Sequence, residues 1–226
     1  MEIIEVVPRL RMLRFEVGAA YLWDDGGELT LVDTGSADRA GEIEEALDGG
    51  RLRRIVLTHF HEDHSGSAAE LAARHGAEVV AHRLEAPVIR GEVPGPPPVL
   101  EEFEVPIWES LPKLPPAPPC RVDREVADGD ALDFAGGAVV VAAPGHTDGS
   151  LALWLPEPKV LFTGDAVANV NGLTMLGVFN TDRARAVESF HRLAALESEA
   201  ALFGHGDPLV GGAAEVLRAA AAGTEA

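Results

Sequence analysis

Along the chain, short apolar β-rich runs come first. Ile3–Val7, Ala19–Trp23 and Leu29–Asp33 are short runs of this kind, and Asp24-Asp25-Gly26-Gly27 supplies turn chemistry that would join the last two as a hairpin. After Thr34-Gly35 the spacing becomes helical over Ala37–Leu47, with Ser36 placed to cap it. Arg54–Leu57 reads as a short apolar strand, His64–His75 as a helix stopped by Gly76, and Ala77–Ala81 as the next strand. Val122–Trp154 reads as several consecutive strands. Val160–Thr163 and Ala201–Phe203 follow as strands, with Arg183–Leu196 and Gly212–Ala221 as helices. This order predicts sheets covered by helices on their outer faces, an α/β fold. A chain of 226 residues suits one hydrophobic core, so a single domain over 1–226 is expected.

Residues 87–119 break the pattern. Proline crowds this segment, in Gly95-Pro96-Pro97-Pro98 and again in Pro115-Pro116-Ala117-Pro118-Pro119, and should exclude regular helix and interior strand. The segment nevertheless retains Val99, Leu100, Phe103, Ile107, Trp108, Leu111 and Leu114. Two readings stand: a lid packed over a pocket, or a rigid surface excursion.

Composition narrows the function. A net charge of −19 argues against a nucleic-acid partner, which would be held through clustered Lys and Arg. The one basic run, Arg51-Leu52-Arg53-Arg54, reads as a solvated turn before a strand. No apolar stretch approaches the roughly 20 residues of a membrane span, and the N-terminus MEIIEVVPRL has an acid where a signal peptide carries positive charge. The expectation is a cytoplasmic protein acting on a small molecule. Cys120, the one cysteine, excludes an internal disulfide and removes the usual thiolate zinc sites.

Any metal must then be held by His, Asp or Glu, and Thr58-His59-Phe60-His61-Glu62-Asp63-His64-Ser65-Gly66 offers these at high density after an apolar strand. In extended backbone His59 and His61 share a side, and the turn into a helix brings Asp63 and His64 toward the same space. Three later segments have a common form, an apolar strand followed by glycine and one ligand-type residue: His146 after Pro144-Gly145, Asp165 after Thr163-Gly164, and His205 after Gly204. His75 and His191 fit exposed or capping positions in helices. His82 ends a strand, and Cys120 has no neighbouring base.

These motifs, HxHxDH at 59–64, PGHT around His146, TGD ending at Asp165 and GHG around His205, resemble the metallo-β-lactamase superfamily, glyoxalase-II-like branch, over nearly the whole chain. The resemblance implies a four-layer αβ/βα sandwich with two divalent ions at one edge, zinc first and iron or manganese as alternatives. It implies that His59, His61 and His146 hold one ion, that Asp63, His64 and His205 hold the other, and that Asp165 bridges them. Asp33, in VDTG, resembles the aspartate that steadies the ligand loop. The implied activity is metal-dependent hydrolysis of an ester-like bond (a thioester, lactone or phosphoester) by a metal-bridging hydroxide, with Asp63 accepting or shuttling a proton. Asp165 argues against penicillin hydrolysis. The short stretch after His205 lacks the helical region of hydroxyacylglutathione hydrolases, and Tyr21 lies far from where acyl-homoserine lactonases place a tyrosine. Phe60, Trp108, Met175 and Phe179 are candidates for an apolar pocket. The alternative implied by the resemblance is a mononuclear non-haem iron oxidoreductase of the persulfide dioxygenase type, using His59, His146 and Asp165.

Overall fold

The computed structural model describes residues 1–225. In chain order the strands of the first half are β1 (Glu2–Val7), β2 (Leu10–Arg14), β3 (Ala19–Asp24), β4 (Glu28–Val32), β5 (Arg51–Leu57), β6 (Glu78–His82) and β7 (Arg124–Val126). They form one sheet in sequential order. β1 to β4 pair antiparallel, and β4 to β7 run parallel. The second half supplies β8 (Ala131–Leu132), β9 (Ala138–Ala142), β10 (Leu151–Leu155), β11 (Val160–Phe162), β14 (Ala200–Leu202) and β15 (Leu209–Val210), ordered β15-β14-β11-β10-β9-β8. A separate hairpin joins β12 (Val167–Val170) to β13 (Leu173–Leu176).

Helices α1 (Ala40–Ala46) and α3 (Ala68–His75) cover the outer face of the first sheet, and α6 (Arg183–Ala194) and α7 (Ala213–Ala222) that of the second. The remaining helices are short: α2 (Glu62–Ser65), α4 (Ala86–Ile89) and α5 (Val105–Ser110). Three apolar clusters result. One, with Met12, Tyr21, Val56, Leu153 and Phe162, lies between the sheets, and each of the others lies between a sheet and its helices. The order helix, sheet, sheet, helix is the expected four-layer sandwich.

Several local expectations give way. β2 was not evident from Leu10-Arg11-Met12-Leu13-Arg14, yet Leu10 and Met12 enter the core between the sheets and Leu13 the core on the helix side. Ser36 does not cap a helix. α1 begins at Ala40 without a side-chain cap, and the Ser36 carbonyl accepts from Ser67 Oγ at 2.7 Å. The helix expected over His64–His75 is two helices parted at Gly66-Ser67, because the loop after β4 docks in the gap. The Gly66 N–H donates to the Gly35 carbonyl at 3.0 Å, and a Cβ at Gly66 would overlap the backbone of Ala37.

The basic run is not a turn either. Arg51 and Arg53 project outward from β5, while Arg54 is buried at 2% exposure and ion-pairs with Glu78 at 2.9 Å and with Asp133. Burial of a guanidinium is sustained by such pairing. Proline also permits more helix than expected: α4 and α5 carry Pro87 and Pro106 in their first turns, where a missing N–H costs no helical bond. The base of the segment is closed by the Cys120 N–H, which donates to the Ile89 carbonyl at 2.9 Å.

Tyr21 ties the two sheets together. Its hydroxyl donates to the Phe203 carbonyl at 2.6 Å and accepts from the Phe203 N–H at 3.1 Å, and its ring meets Phe162 edge-on with centroids 5.6 Å apart. Tyr21→Phe strips both backbone groups of a partner in a dry interior. The expected loss is roughly 1–3 kcal/mol of unfolding free energy with an unchanged denaturant slope, read from urea denaturation. A loss under about 0.3 kcal/mol would contradict the tie.

Candidate metal centre

The ligand-type side chains sit on loops that leave strand ends. Asp33 follows β4, His59 and His61 follow β5, and Asp63 and His64 lie on α2. His146 lies between β9 and β10, Asp165 just beyond β11, and His205 just beyond β14. The parallel pairing of β4 with β5 and of β11 with β14 points these ends to one edge, so residues far apart in sequence converge there.

The geometry is that of a donor cluster. His61 Nδ1 lies 3.0 Å from His59 Nε2 and 3.0 Å from His146 Nε2. On the other side His205 Nε2 lies 3.2 Å from Asp63 Oδ2 and 3.2 Å from Asp165 Oδ2, and His64 Nε2 lies 3.2 Å from Asp165 Oδ1. Asp165 stands between the groups, its Oδ2 3.6 Å from His146 Nε2 and 3.9 Å from His59 Nε2. His59 with His61 and His146, His59 with His64 and Asp165, and Asp63 with His64 and His205 each place their ligand atoms within 4.8 Å of one another.

Counting protons shows which atoms are bare. Thr58 Oγ1 has one hydrogen and donates it to Asp33 Oδ2 at 2.8 Å, so its oxygen accepts from His59 Nδ1 at 3.0 Å. That leaves the lone pair of His59 on Nε2, aimed inward. His146 Nδ1 donates to the Val178 carbonyl at 3.1 Å, and His64 Nδ1 donates to Asp33 Oδ2 at 2.9 Å. Their Nε2 atoms also face the centre, and His64 Nε2 and Asp165 Oδ1 are buried without a hydrogen-bond partner. Buried polar atoms are ordinarily satisfied. Imidazole lone pairs and carboxylate oxygens that meet without enough protons between them form a donor set that fits divalent cations.

Electrostatics divides the site. Burial drives the proton affinity of His59 well below its ordinary value, lowers that of His61, and lowers His146 to about 4. These three stay neutral and free to donate lone pairs. Across the cluster the Asp165 charge pushes His205 up to about 10. Burial opposes the same effect at His64, but Asp165, Asp63 and Asp33 together raise it well above its ordinary range, so without a cation its Nε2 keeps a proton that a bound cation would displace to expose the lone pair. Asp63, held down to about 2 against the cost of burial by His64 and His205, and Asp165, held well below the usual carboxylate range by the same two histidines, are ionised.

Asp33 and Glu85 brace the loops. Asp33 is buried and adopts φ +60. Besides Thr58 Oγ1 and His64 Nδ1, it accepts the Thr58 N–H on Oδ1 at 2.8 Å. Glu85, also buried, accepts the Phe60 N–H on one oxygen at 2.9 Å. Its other oxygen takes Thr147 Oγ1 at 2.9 Å and the Gly149 N–H at 2.8 Å. It therefore joins the His59–His61 loop to the His146 loop. Sequence reasoning missed Glu85, because Arg83-Leu84 and no glycine stand between it and β6, and an acid three residues past a strand end is a weak signal by itself. At Gly204 a Cβ would overlap Asp165 Oδ1 and stand 2.7 Å from His64 Cε1, so only glycine lets His205 approach.

The family model described as the metallo-beta-lactamase superfamily matches residues 13–205. The chain belongs to the metallo-beta-lactamase superfamily. Within it, the chain is 32% identical over 202 residues to the probable metallo-hydrolase YflN of Bacillus subtilis (strain 168), covering 80% of this chain and 76% of that protein. It is 33% identical over 184 residues to a hydroxyacylglutathione hydrolase of Acidiphilium cryptum (strain JF-5), covering 80% of this chain and 60% of that protein. It thus spans 47–60% of the length of the hydroxyacylglutathione hydrolases it matches. A metallo-beta-lactamase family protein from Thermus thermophilus superposes with a TM-score of 0.68 at 27% identity over 96% of this chain and 78% of the other. A metallo-beta-lactamase from Pontibacter korlensis, 17% identical, shares the fold with a TM-score of 0.68 over 99% of both chains.

Other sequence candidates lie outside the cluster. His75 pairs with Glu44 at 2.9 Å, His191 is exposed, and His82 Nδ1 accepts from the Leu84 N–H at 3.4 Å. Burial pushes the Cys120 thiol up to about 11, so it remains protonated. Phe60 presses on Gly95 of the proline-rich segment beside a cleft of about 350 Å³. Trp108 meets Phe179 with ring centroids 5.0 Å apart, and Met175 lies on β13 opposite Ala168. A larger cleft of about 590 Å³, near Arg9, Trp23 and Glu199, sits at the other end of the sheets. Among the described residues no helix is long and apolar enough to cross a membrane.

Two outcomes follow for the centre. Asp33→Ala frees the His64 ring and Thr58, and is expected to weaken zinc affinity by about 10–100-fold, measured by competition with a chromophoric chelator; unchanged affinity would remove Asp33 from the bracing. For His205 the folded value of about 10 lies above the ordinary 6.5. The stabilisation from its proton is thus complete below about 6.5 and disappears as pH rises through 10 in metal-free protein. Since a cation displaces that proton, the rise in Tm on adding zinc should grow from pH 6.5 to 9.5. Scanning calorimetry with zinc and with chelator tests this, and a constant increment would refute it.

Proposed function

We propose that this chain is a binuclear metallo-hydrolase that cleaves an ester-like bond, a thioester first among them, in a small molecule. The observation that carries the reading is the place of Asp165, a carboxylate with 10% of its side chain exposed, between a three-imidazole group and an Asp-His-His group. The similarity to a probable metallo-hydrolase and to hydroxyacylglutathione hydrolases supports it.

In this reading His59, His61 and His146 hold one divalent ion, Asp63, His64 and His205 hold the second, and Asp165 serves both. Zinc suits such nitrogen and oxygen donors, and iron or manganese are the alternatives. When bound, the pair supplies Lewis acidity and a water acidified toward neutral pH, so no Ser or Cys nucleophile is needed. The protein's own part is orientation. Asp33, Thr58 and the Val178 carbonyl fix the tautomers of His64, His59 and His146 so that each presents its Nε2 lone pair. Asp63, set beside His64 and His205, is the carboxylate that would accept or shuttle a proton there.

The iron oxidoreductase alternative would use His59, His146 and Asp165 as two histidines and one carboxylate. Against it stands His61, whose Nδ1 completes a third imidazole contact with both His59 and His146. Elemental analysis of protein purified without added metal separates the readings: two zinc ions per chain for hydrolysis, one iron for the oxidoreductase. With zinc loaded, Asp165→Ala should lose metal and slow thioester cleavage by about a thousandfold, equivalent to roughly 4 kcal/mol of transition-state stabilisation. Wild-type turnover in that variant would end the proposal.

A further inference from the structure

A short loop on the rim of the centre carries aromatic surface with no assigned task. The Gly177 N–H donates to the carbonyl of Ala166, next to Asp165, at 3.2 Å. The Val178 carbonyl accepts from His146 Nδ1 at 3.1 Å, and the Thr181 N–H donates to the His146 carbonyl at 3.2 Å. Phe179 is therefore strung between the carriers of two candidate ligands. It adopts φ +62, a left-handed conformation that a bulky residue takes only when its surroundings impose it.

What imposes it comes from the proline-rich segment. The Phe179 N–H donates to Glu104 Oε1 at 2.9 Å, and the other oxygen of Glu104 accepts the Glu101 N–H at 3.0 Å. Glu104 is 1% exposed. The Val99 N–H donates to the Asn180 carbonyl at 2.9 Å. One turn beyond Glu104, Trp108 stands edge-on to Phe179. A buried carboxylate and two backbone bonds thus anchor the segment to the rim, yet Trp108 remains 44% exposed, and Val99, Ile107 and Leu111 beside it in sequence are exposed as well. Fixing a strained residue and a buried acid in order to hold apolar surface toward water is expected where that surface binds something.

Charge helps define the occupant. Arg14 is committed to Asp207 and Glu2, and Arg185 to Asp148, so these cations near the ligand loops are already neutralised. Arg83 and Lys113 form no ion pair with the described residues, and they leave a carboxylate-bearing substrate as the competing class.

We propose that Trp108 and Phe179 form the wall that receives the substrate, and that the site takes an ester or thioester whose acyl chain is uncharged, apolar and several carbons long. This rests on the hydrolase reading. Metal-loaded protein is assayed on p-nitrophenyl esters from acetyl to decanoyl, and on the succinyl half-ester. The expected result is a kcat/KM that climbs about threefold per added methylene until the wall is covered. In Trp108→Ala the octanoyl-to-acetyl ratio should fall at least tenfold, and Trp108→Phe, which keeps a ring, should recover most of it. A flat chain-length profile in wild type, or a preference for the succinyl ester that Arg83→Ala removes, overturns the proposal. If neither these esters nor the matching acyl thioesters are cleaved, the hydrolase reading fails, and the wall is read from calorimetry with 2-decanone and 2-butanone. Tighter binding of the longer ketone that Trp108→Ala abolishes supports the wall, and equal binding of the two overturns it.

Discussion

Asp33 has two oxygens and three donors to serve, and the rest of the centre depends on how they are shared. Thr58 gives it a backbone N–H and a hydroxyl, and His64 gives it a ring N–H. Because the Thr58 hydroxyl is spent on Asp33, it must accept from His59, so one buried carboxylate sets the tautomer of two histidines on different elements. A neutral imidazole has one proton and one lone pair, and wherever the proton is committed outward the lone pair must point inward. The Val178 carbonyl imposes the same choice on His146 from the opposite sheet.

The sandwich explains why these groups meet at all. Parallel strands from both halves end at the same edge, and each gives way to a loop at the point where its apolar run stops. Such loops need not fill a core, so they can carry polar groups that would be costly among Met12, Val56 and Phe162. Glu85 and Tyr21 then bind loop to loop and sheet to sheet. Between them these tie the His59–His61 loop to the His146 loop, and Phe203, two residues before His205, to β3.

How much of this could be read in the chain depended on how local the signal was. His59, His61, Asp63 and His64 lie within six residues directly after the apolar run Ile55-Val56-Leu57, so their convergence follows from local backbone geometry. His146, Asp165 and His205 each show little individually; their common form of strand, glycine and ligand type made them legible together. Sheets covered by helices were visible in the succession of strand and helix periods, while the four-layer order came with the resemblance that the motifs carry. The failures share another cause, which is that a distant partner decided the outcome. Arg54 looked like a surface charge because Glu78 and Asp133 lie 24 and 79 residues away. The helix break at Gly66 is made by the Gly35–Ala37 backbone, and Glu85 acquires its role only once Phe60 and Gly149 fold against it.

The segment over residues 87–119 departs from α4 and returns toward β7, with its two ends pinned by a single backbone bond between Ile89 and Cys120. The ends of such an appendage stay together whatever its contents, and the entropic cost of closing it grows only slowly with length. The frame of the two sheets is therefore insulated from changes in the outer part of the appendage, whereas Glu104 and Val99, which hold the Phe179–Asn180 rim beside His146, are tied to it. Lengthening, trimming or recolouring the stretches between these anchors alters what the mouth of the protein admits while leaving the two sheets as they were.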